Sequence, residues 1–532
     1  MIEGVKEVRG GVADKYDAVT IYEGFPGYFY DVSEPHFTEA EAKAYELLRE
    51  LIMGKTTVAE LRSRAGKILP AQFIDAFNDK IVKLVTISDS LERLLPPAEF
   101  ESLKIELTAL FKKFMPSSKN HAALVAKILD DTVGYGPLAP LVRDPELEEI
   151  MLNGYKRPVF VYHKRYGTCK TNVTIADNHM LDLLVRRIAS TVGRKIDAER
   201  PLLDARLLGG SRANATDPLV TPFGPTLTIR KFTRVPLSVV DMVENNTLTS
   251  EVAAFLWTMV EGMNIEPMNI IVSGGAGSGK TTTLDVLATF VPYKDRIITI
   301  EDTLELDLGS RENWIQMESR PKTTDAAGVT MDDLLKNSLR MRPDRVVLGE
   351  VRGPEAQTLF VAMDIGHRGC MGTLHSNTAK EMLIRLTTEP MAVPESMLPL
   401  LDIILMQSRM YIRGKGILRR VTQVAEVTSM ERKPLLANIY DYDRTEDKIK
   451  RTNIPSHILE RLADATVKTK KEVMREISVR KKIIEWMIKN SIRSNPDVET
   501  IIQHYYHNPE TILEMVAKDM GKGYDELERG GK

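Results

Sequence analysis

The residues with the most distinctive chemistry form a glycine-rich octet, GGAGSGKT, at positions 274–281. Its spacing fits G-x-x-x-x-G-K-[ST], a pattern in which glycines let backbone N–H groups curl around a phosphate. In that pattern the lysine reaches the β- and γ-phosphates of a nucleotide, and the hydroxyl that follows it holds Mg²⁺. We therefore predict a nucleotide site formed by Gly274, Gly275, Ala276, Gly277, Ser278, Gly279, Lys280, Thr281 and Thr282.

Acidic side chains end two apolar runs further along the chain. The stretch ITIEDTLEL offers Glu301, Asp302 and Glu305, and RVVLGEVRG offers Glu350. Ligands of parallel α/β sheets bind beyond the carboxyl ends of the strands, so acids at these positions would face the nucleotide. The alternative is that each acid caps the helix after it. Two clusters downstream of one phosphate loop favour a catalytic and metal-binding role.

A histidine, His375, ends the later apolar run GCMGTLHS. A neutral imidazole there would donate a hydrogen bond to the γ-phosphate and report its loss. The alternatives are a packed histidine, a metal site shared with His367 and Cys370, and a serine–histidine hydrolase. The metal site has no familiar zinc spacing, and the hydrolase would need G-x-S-x-G, which the sequence lacks. The phosphate-sensor role is the preferred hypothesis.

Arginines upstream of the phosphate loop are candidates for stabilising charge on a transferred phosphate. Arg206 and Arg212 lie in DARLLGGSRAN, and Arg230 lies in TLTIRKF. An arginine that reaches the γ-phosphate of another subunit is an arginine finger, worth orders of magnitude in rate. From the residues alone, a solvated arginine or a local ion pair is the simpler interpretation, and Arg340 and Arg342 are similarly ambiguous.

These residues must be positioned by a sheet, and the pattern between about 250 and 430 predicts one. Short apolar runs recur there, mostly separated by segments long enough for crossover helices: NIIVSG, RIITIED, DRVVLGE, GCMGTLHS and IILMQSRMYI. Continuous apolar runs of this length are typical of strands buried on both faces, hence of a parallel sheet. The phosphate loop follows the first run and precedes a helix-like segment, as its pattern requires.

The rest of the chain divides into segments that differ in their predicted helices and strands. Thr38 with Glu41, and Thr57 with Glu60, have the spacing of capping boxes at helix starts. Helices and strands then interleave as in an α+β domain. Helical patterns return near the end of the chain, where four apolar residues share one helix face: Val473, Ile477, Ile484 and Ile488. The predicted segments are a helical region at 1–120, an α+β domain at 121–235, a hinge linker at 236–250, the P-loop core at 251–430 and a mostly helical region at 431–532.

Composition narrows the class of protein. The chain has 532 residues with 72 bases and 74 acids, for a formal net charge of −2, which excludes a globally basic nucleic-acid binder. Two cysteines form no disulfide framework and favour a reducing compartment. The N-terminal stretch does not read as a signal peptide, and no apolar run approaches the roughly 20 residues that cross a bilayer. We expect an intracellular protein whose membrane contact is peripheral.

Four motifs in order resemble those of the ring ATPases of the type II/type IV secretion superfamily. The family's Walker A, Asp box, Walker B and His box are matched by GGAGSGKT, IEDTLEL, RPDRVVLGEVRG and GHRGCMGTLHSN. The resemblance spans roughly 121–430, because GYGPLAPLVRDPELEEIMLNG and TLTIRKF are similar to the family's N-terminal ring domain. The helical N-terminus and the tail are most similar to the archaellum (archaeal flagellum) motor ATPase.

The resemblance implies an α/β fold: a RecA-like P-loop NTPase domain with a preceding α+β ring domain and a helical N-terminal region. It implies an ATPase that uses ATP and Mg²⁺, with Thr281 and Glu350 at the metal. Glu305 is the first candidate for polarising water and Glu301 the second. His375 becomes the His-box histidine, and Arg212 and Arg230 become candidate fingers.

The resemblance also implies an assembly. We expect a homohexamer at the cytoplasmic face of the cell membrane, working on a polytopic platform protein and other motor subunits to drive filament assembly or rotation. An archaeal type IV pilus or secretion ATPase is the alternative within the superfamily. A ring-shaped nucleic-acid translocase is the alternative of another class, although near-zero net charge and 6% aromatics give it little support, so no nucleic acid is expected.

Two departures from the family pattern sharpen the subtype. The Asp box reads EDT where pilus motors usually have EDP, but its acids are unchanged. The four-cysteine zinc element of many bacterial members is missing, because the chain has two cysteines.

Two other nucleotide-using classes find little support in the sequence. A small-molecule kinase would need an acceptor pocket, and none is recognisable. A GTPase would need the base-reading motif N-K-x-D, which the sequence lacks.

Overall fold

The computed structural model describes residues 7–53, 55–66, 68–88, 94–116, 118–176, 178–207, 210–231, 237–309, 311–320, 328–412, 416–430 and 433–520. The chain divides into two compact units, Met1–Thr233 and Arg234–Lys532. Each unit has its own sheet and its own apolar clusters, and each is described by itself below.

A mixed sheet organises the first unit. Its strands are β1 (Val8–Tyr16), β2 (Val19–Phe25), β3 (Tyr28–Val32), β4 (Leu147–Leu152), β5 (Pro158–His163), β6 (Gly167–Thr174), β7 (Leu202–Arg206), β8 (Arg212–Thr216) and β9 (Thr226–Arg230). Their spatial order is β1-β2-β3-β6-β5-β4-β9-β8-β7. Neighbours are antiparallel except β3 and β6, which run parallel with Tyr28 opposite Cys169.

The strands at the start of the chain correct the prediction that residues 1–120 are helical. β1, β2 and β3 occupy most of the first 32 residues. Val19, Ile21, Tyr30 and Val32 are buried at alternate positions, which is the period of two expected of a strand with one face on a core. The capping signals of the helices that follow are strong, and extending them backwards over this short alternating segment was wrong.

Helices of the first unit begin after these strands. They are α1 (Glu39–Ile52), α2 (Val58–Ala65), α3 (Ala71–Ser88), α4 (Pro97–Phe114), α5 (His121–Val133), α6 (Ala139–Arg143) and α7 (Asn178–Thr191). Both predicted capping boxes are present at the starts of α1 and α2. Phe73, Phe77 and Phe111 form an aromatic cluster whose apolar surroundings include Leu124 and Ile128 of α5. Helix α5 therefore shares a core with the helices before it.

A second sheet organises the second unit. Its strands are β10 (Ile270–Gly274), β11 (Ile297–Glu301), β12 (Trp314–Glu318), β13 (Arg345–Val351), β14 (Met371–Leu374), β15 (Ile403–Ile412), β16 (Gly416–Met430), β17 (Lys433–Asp443) and β18 (Lys448–Arg451). The order is β12-β11-β13-β14-β10-β15-β16-β17-β18. Neighbours from β12 to β15 are parallel, and those from β15 to β18 are antiparallel.

Helices cover both faces of the parallel strands. They are α8 (Val239–Glu244), α9 (Ser250–Glu261), α10 (Lys280–Thr289), α11 (Met331–Ser338), α12 (Glu355–Asp364), α13 (Ala379–Thr387), α14 (His457–Ala465), α15 (Lys470–Lys489), α16 (Asn495–His507) and α17 (Pro509–Met520). Ile270 and Val272 point into one apolar cluster and Ile271 into the other, so β10 is buried on both faces. The sheet with helices on both faces confirms the predicted α/β fold of a RecA-like P-loop domain.

The helices after the sheet belong to the same apolar core as the phosphate-loop helix. Val473, Ile477 and Ile484 of α15 are buried, and Ile488 packs against them, which confirms the predicted helix face. Their cluster also contains Leu284 and Leu287 of α10. The tail therefore completes the P-loop domain.

Secondary structure interrupts the predicted hinge linker at 236–250. Helix α8 lies within it, and α9 begins at its end, whereas Pro236 and residues 232–235 lie outside the described residues. The predicted domain boundaries remain predictions. Within the described part of the chain, no helix is long and apolar enough to span a bilayer.

Candidate active site

The predicted phosphate loop joins β10 to α10. Gly277 and Gly279 have φ angles of 67° and 93°, a backbone region that glycine adopts without steric cost. A Cβ at Gly274 would lie 2.1 Å from the backbone oxygen of Gln407, so the strand-to-loop corner also requires glycine. These three positions force the chain to turn tightly at the carboxyl end of a buried strand.

The loop presents its polar groups at the start of α10. The Lys280 ammonium donates to the Gly275 carbonyl over 3.2 Å, and the Ser278 hydroxyl donates to the same oxygen over 2.9 Å. Thr281 and Thr282 follow in the first turn of the helix, where backbone N–H groups lack intrahelical acceptors. A helix N-terminus with a lysine beside it attracts anions, and phosphate is the anion this geometry favours.

Parallel strands bring the predicted acids and His375 to the same sheet edge as the loop. β14 lies beside β10, β13 beside β14, and β11 beside β13. Strand spacing of about 4.8 Å puts the ends of β14, β13 and β11 roughly 5, 10 and 14 Å from the end of β10. His375 follows β14, Glu350 lies in β13, and Glu301 ends β11. The structure thus brings these predicted site residues together along one edge.

The Asp-box loop after β11 is held by one of its own acids. The Glu301 carboxylate is 1% exposed, and its Oε2 accepts from the backbone N–H groups of Glu305 and Leu306 over 2.8 and 3.1 Å. A Cβ at Gly349 would lie 2.8 Å from Glu301 Cγ, so β13 has room for this side chain only because position 349 is glycine. Glu301 therefore fixes the loop that carries the half-buried Glu305.

The second acid of that loop is engaged elsewhere. Asp302 accepts from the Ser319 hydroxyl over 2.7 Å and forms an ion pair with Arg352. Both contacts draw its carboxylate toward the strand ends that carry Ser319 and Arg352. The Asp302 carboxylate is accordingly held by these two groups.

Glu350 and His375 line the edge between Glu301 and the loop. Both are partly exposed, and no described residue makes a hydrogen bond to either side chain. The segment after β14 is fixed from behind, because the Ser273 hydroxyl contacts the Ser376 hydroxyl at 2.8 Å. A Cβ at Gly275 would lie 3.8 Å from Asn377 Oδ1, so this segment borders the loop.

The oxygen donors at this edge fit a magnesium ion that is shared with a nucleotide. Mg²⁺ prefers hard oxygen ligands and is held in such sites by one or two protein groups plus phosphates and water. The Thr281 hydroxyl and the Glu350 carboxylate are donors of this type. Among the described residues no group of three His, Cys, Asp or Glu side chains is placed to hold a metal ion.

The structure rejects the alternative metal site of His367, Cys370 and His375. His367 precedes β14 and His375 follows it, so the four-residue strand separates them by about 13 Å at ~3.3 Å per residue. Cys370 is buried, its thiol donates to the His367 carbonyl, and burial raises its pKa to about 12. A protonated buried thiol is a poor metal ligand.

The candidate fingers lie in the first unit. Arg212 in β8 is directly opposite Arg230 in β9. The Arg212 guanidinium makes a two-pronged ion pair with Asp204, through Nε at 2.9 Å and Nη2 at 2.5 Å, and this pairing lowers the pKa of Asp204. The site built above comes from the second unit alone, and the finger roles remain predictions.

Two polar groups that were not predicted from the sequence connect α10, the helix after the phosphate loop, to its neighbours. Gln407 of β15 accepts from the Thr283 hydroxyl over 2.6 Å, and its amide nitrogen would be 3.1 Å from a Cβ at Gly279. Asp285 of α10 accepts from the Asp307 backbone N–H over 3.1 Å, and burial raises its pKa to about 7. The glutamine could have been noticed in the sequence because it interrupts the apolar run IILMQSRMYI. Nothing in the sequence around Asp285 indicated a role for it.

The chain has relatives among known proteins, and they match much of its length. The model of a family described as Type II/IV secretion system protein matches residues 131–528. An uncharacterized protein of Methanocaldococcus jannaschii is 30% identical over 72% of this chain and 76% of its own length. The conjugal transfer protein TrbB of Rhizobium radiobacter is 33% identical over 51% of this chain and 80% of its own.

A solved structure gives a more distant likeness. The pilus retraction motor PilT with bound ADP is 20% identical, covers 62% of this chain and 86% of its own, and superimposes with a TM-score of 0.40. Sequence identity over most of the chain, rather than this superposition, establishes the relationship.

Proposed function

Because the chain belongs to the Type II/IV secretion system protein family, we propose that it is a motor ATPase that converts ATP and water to ADP and phosphate. The observation that carries the proposal is the order of strand ends along one sheet edge. The phosphate loop, His375, Glu350 and Glu301 follow one another on adjacent parallel strands. A nucleotide on the loop would extend its γ-phosphate along that edge.

Each side chain has a defined part in the proposed hydrolysis. Lys280 and the N–H groups of the loop bind the phosphates, and Thr281 with Glu350 would hold Mg²⁺, which neutralises charge between the β- and γ-phosphates when bound. Glu305 polarises the attacking water, on a loop that Glu301 holds in place. His375 donates to the γ-phosphate, and its hydrogen bond is lost when phosphate leaves.

The cellular role proposed is that of an archaellum motor. A homohexamer at the inner face of the cell membrane would push on a polytopic platform protein, driving filament assembly and rotation. Support comes from the family match and from the archaeal source of the relative that covers most of the chain. An archaeal type IV pilus or secretion motor is the alternative, and the neighbouring genes would distinguish the two.

Two substitutions test the nucleotide site. Lys280→Ala removes the phosphate-binding ammonium and Glu350→Ala the proposed metal ligand, so each is expected to reduce ATP turnover at least 100-fold. Lys294→Ala and Glu312→Ala, at exposed positions of the same unit, are the matched controls and should keep wild-type turnover. Wild-type turnover in either site variant overturns the assignment.

Further measurements test the motor role. Size-exclusion chromatography with ATP should give a hexamer, and turnover should rise with membranes that contain the platform protein. Stimulation by DNA alone would instead favour the nucleic-acid translocase.

A separate substitution tests the histidine. Normal turnover in a His375→Ala variant would show that His375 is a packing residue.

A further inference from the structure

The hairpin of β15 and β16 extends past the phosphate loop on the side away from the acids. β10 pairs with β14 on one side and with β15 on the other. Gly274, the last residue of β10, is opposite Gln407, and β15 then continues to Ile412. At ~3.3 Å per residue the hairpin rises about 16 Å beyond the end of β10. It forms a wall along one flank of the candidate site.

Two arginines of this wall contact the loop backbone. Arg419 Nε donates to the Gly277 carbonyl over 3.1 Å, and a Cβ at Gly279 would lie 3.3 Å from Arg419 Cδ. A Cβ at Gly277 would lie 3.0 Å from Arg409 Nη1. Both guanidinium groups therefore lie against the turn that binds phosphate.

Three cationic side chains lie at the phosphate loop. Arg409 and Arg419 are directly opposite in the antiparallel register of β15 and β16. Lys280 adds a third positive charge at the same loop. A nucleotide phosphate chain carries more than one negative charge and complements such a group of cations.

An aromatic side chain extends the same wall outward. Tyr411 is two residues beyond Arg409, hence on the same strand face, and it is 70% exposed. The opposite face of the hairpin is distinct, because Ser408 and Met410 line a separate cavity of about 300 Å³ with Tyr442. An exposed tyrosine beside an arginine is a suitable stacking surface for a planar base.

The direction of the nucleotide follows from the positions of the acids. Its γ-phosphate must face Glu350 and His375, on the β13 and β14 side of the loop, so the α-phosphate and the nucleoside project the other way, toward the hairpin. We propose that the β15–β16 hairpin recognises this part of the nucleotide: Arg409 binds the α-phosphate, Tyr411 stacks on the base, and Arg419 positions the loop. The inference rests on the proposed function.

Titration calorimetry with ATP and with inorganic tripolyphosphate, both with Mg²⁺, tests the base contact. Tyr411→Ala should weaken ATP binding about tenfold and leave tripolyphosphate binding within twofold, because tripolyphosphate has no base to stack. Tyr411→Phe keeps the ring and should restore ATP binding. Met410→Ala, on the opposite face, is the matched control and should change neither affinity. Wild-type ATP affinity in Tyr411→Ala overturns the stacking role.

The same titrations test the arginine contact. Arg409→Gln should weaken ATP and ADP equally, by about tenfold each, because both ligands carry the α-phosphate. Loss of ATP binding with unchanged ADP binding would put the guanidinium at the γ-phosphate instead and overturn the assignment. Circular dichroism of each variant establishes that the fold is retained.

Lys280→Ala separates failure of this inference from failure of the proposed function. If the wild-type protein binds neither ATP nor tripolyphosphate, the nucleotide site itself is wrong. If Lys280→Ala abolishes binding of both while Tyr411→Ala and Arg409→Gln bind as the wild type does, the nucleotide site stands and the hairpin assignment is overturned.

Discussion

Two glutamates of the Asp-box loop make different contacts, and this difference separates the two candidates for the water-polarising group. Glu301 accepts two backbone N–H groups of its own loop from a buried position, so its carboxylate has a structural task. Glu305 joins that arrangement through its backbone N–H. The sequence gives no physical reason to rank these residues, because the bonds join positions whose geometry depends on the fold.

Alanine substitutions should show this difference. Glu305→Ala is expected to reduce turnover at least 100-fold, and it keeps the backbone N–H that donates to Glu301, so the bond that holds the loop is retained. Glu301→Ala leaves two N–H groups without their acceptor and should also cost about 2–4 kcal/mol of stability. Turnover assays and chemical denaturation measure both effects. A stability loss confined to Glu305→Ala would reverse the assignment.

Asp285 makes the stability of the P-loop unit depend on pH. Burial raises the pKa of its carboxyl from 3.8 to about 7, so the folded state binds the proton more tightly than the unfolded state does. The free energy of unfolding should therefore fall as pH rises from about 4 to about 7 and stay low above that. The cost of keeping this group ionised is about 4 kcal/mol at pH 8.

An amide at this position tests the effect. Asp285→Asn keeps an oxygen to accept from the Asp307 N–H and cannot ionise, so it should be more stable than the wild type at pH 8. The difference should narrow at pH 5. Denaturant unfolding of both proteins at the two pH values measures it, and a gap that is the same at both would contradict the raised pKa.

At the scale of elements, a buried arginine holds the C-terminal helix α15 against the rest of its unit. Arg480 of α15 is paired with Glu261 of α9 at 2.9 Å, and both side chains are at most 4% exposed. Its guanidinium lies 5.2 Å from the ring of Trp257 and close to the ring of Tyr505. The pair therefore holds α15 against α9 in a setting where neither charge reaches water.

Removal of this arginine should destabilise the whole second unit. Arg480→Ala leaves Glu261 buried without its main partner, an expected loss of about 3–5 kcal/mol and a correspondingly lower melting temperature. Lys481→Ala, at the neighbouring and partly exposed position, is the matched control and should melt as the wild type does. Equal melting temperatures for the two variants would show that the tail packs independently of this pair.

Strands and helices could be predicted from the sequence where the apolar residues followed a single pattern. The runs that became β10, β11, β13, β14 and β15 were continuous and apolar, and the helix face of α15 was regular, so both were predicted correctly. β1 to β3 were missed because a short alternating segment preceded strongly capped helices. The order of strands puts His375 nearer to the phosphate loop than Glu301. That order could not be inferred from the sequence, because it depends on pairings between distant segments.

At the scale of the whole molecule, the division into two units separates nucleotide binding from the candidate fingers. The phosphate loop and the acids lie in the unit Arg234–Lys532, and Arg212 and Arg230 lie in the unit Met1–Thr233. The second unit has its own apolar clusters on both faces of its sheet. It should fold and bind nucleotide without the first.

A fragment of residues 237–532 tests this division. It should bind ATP about as tightly as the full chain but hydrolyse it about a thousandfold more slowly, the contribution typical of an arginine finger. Full-length Arg212→Ala and Arg230→Ala should reproduce part of that loss. Full turnover by the fragment would show that neither arginine takes part.

The packing of the tail has a consequence for the order in which the protein is made. Tyr506 of α16 accepts from the Trp257 indole and donates to the Phe290 carbonyl, so the core around α9 and α10 closes only when α16 has been synthesised. At roughly 5–20 residues per second, the phosphate loop leaves the ribosome about 10–45 s before that helix. A nascent chain therefore carries its nucleotide loop on an unfinished core. Chains that terminate early should be recognised as unfolded and degraded before they can enter an assembly.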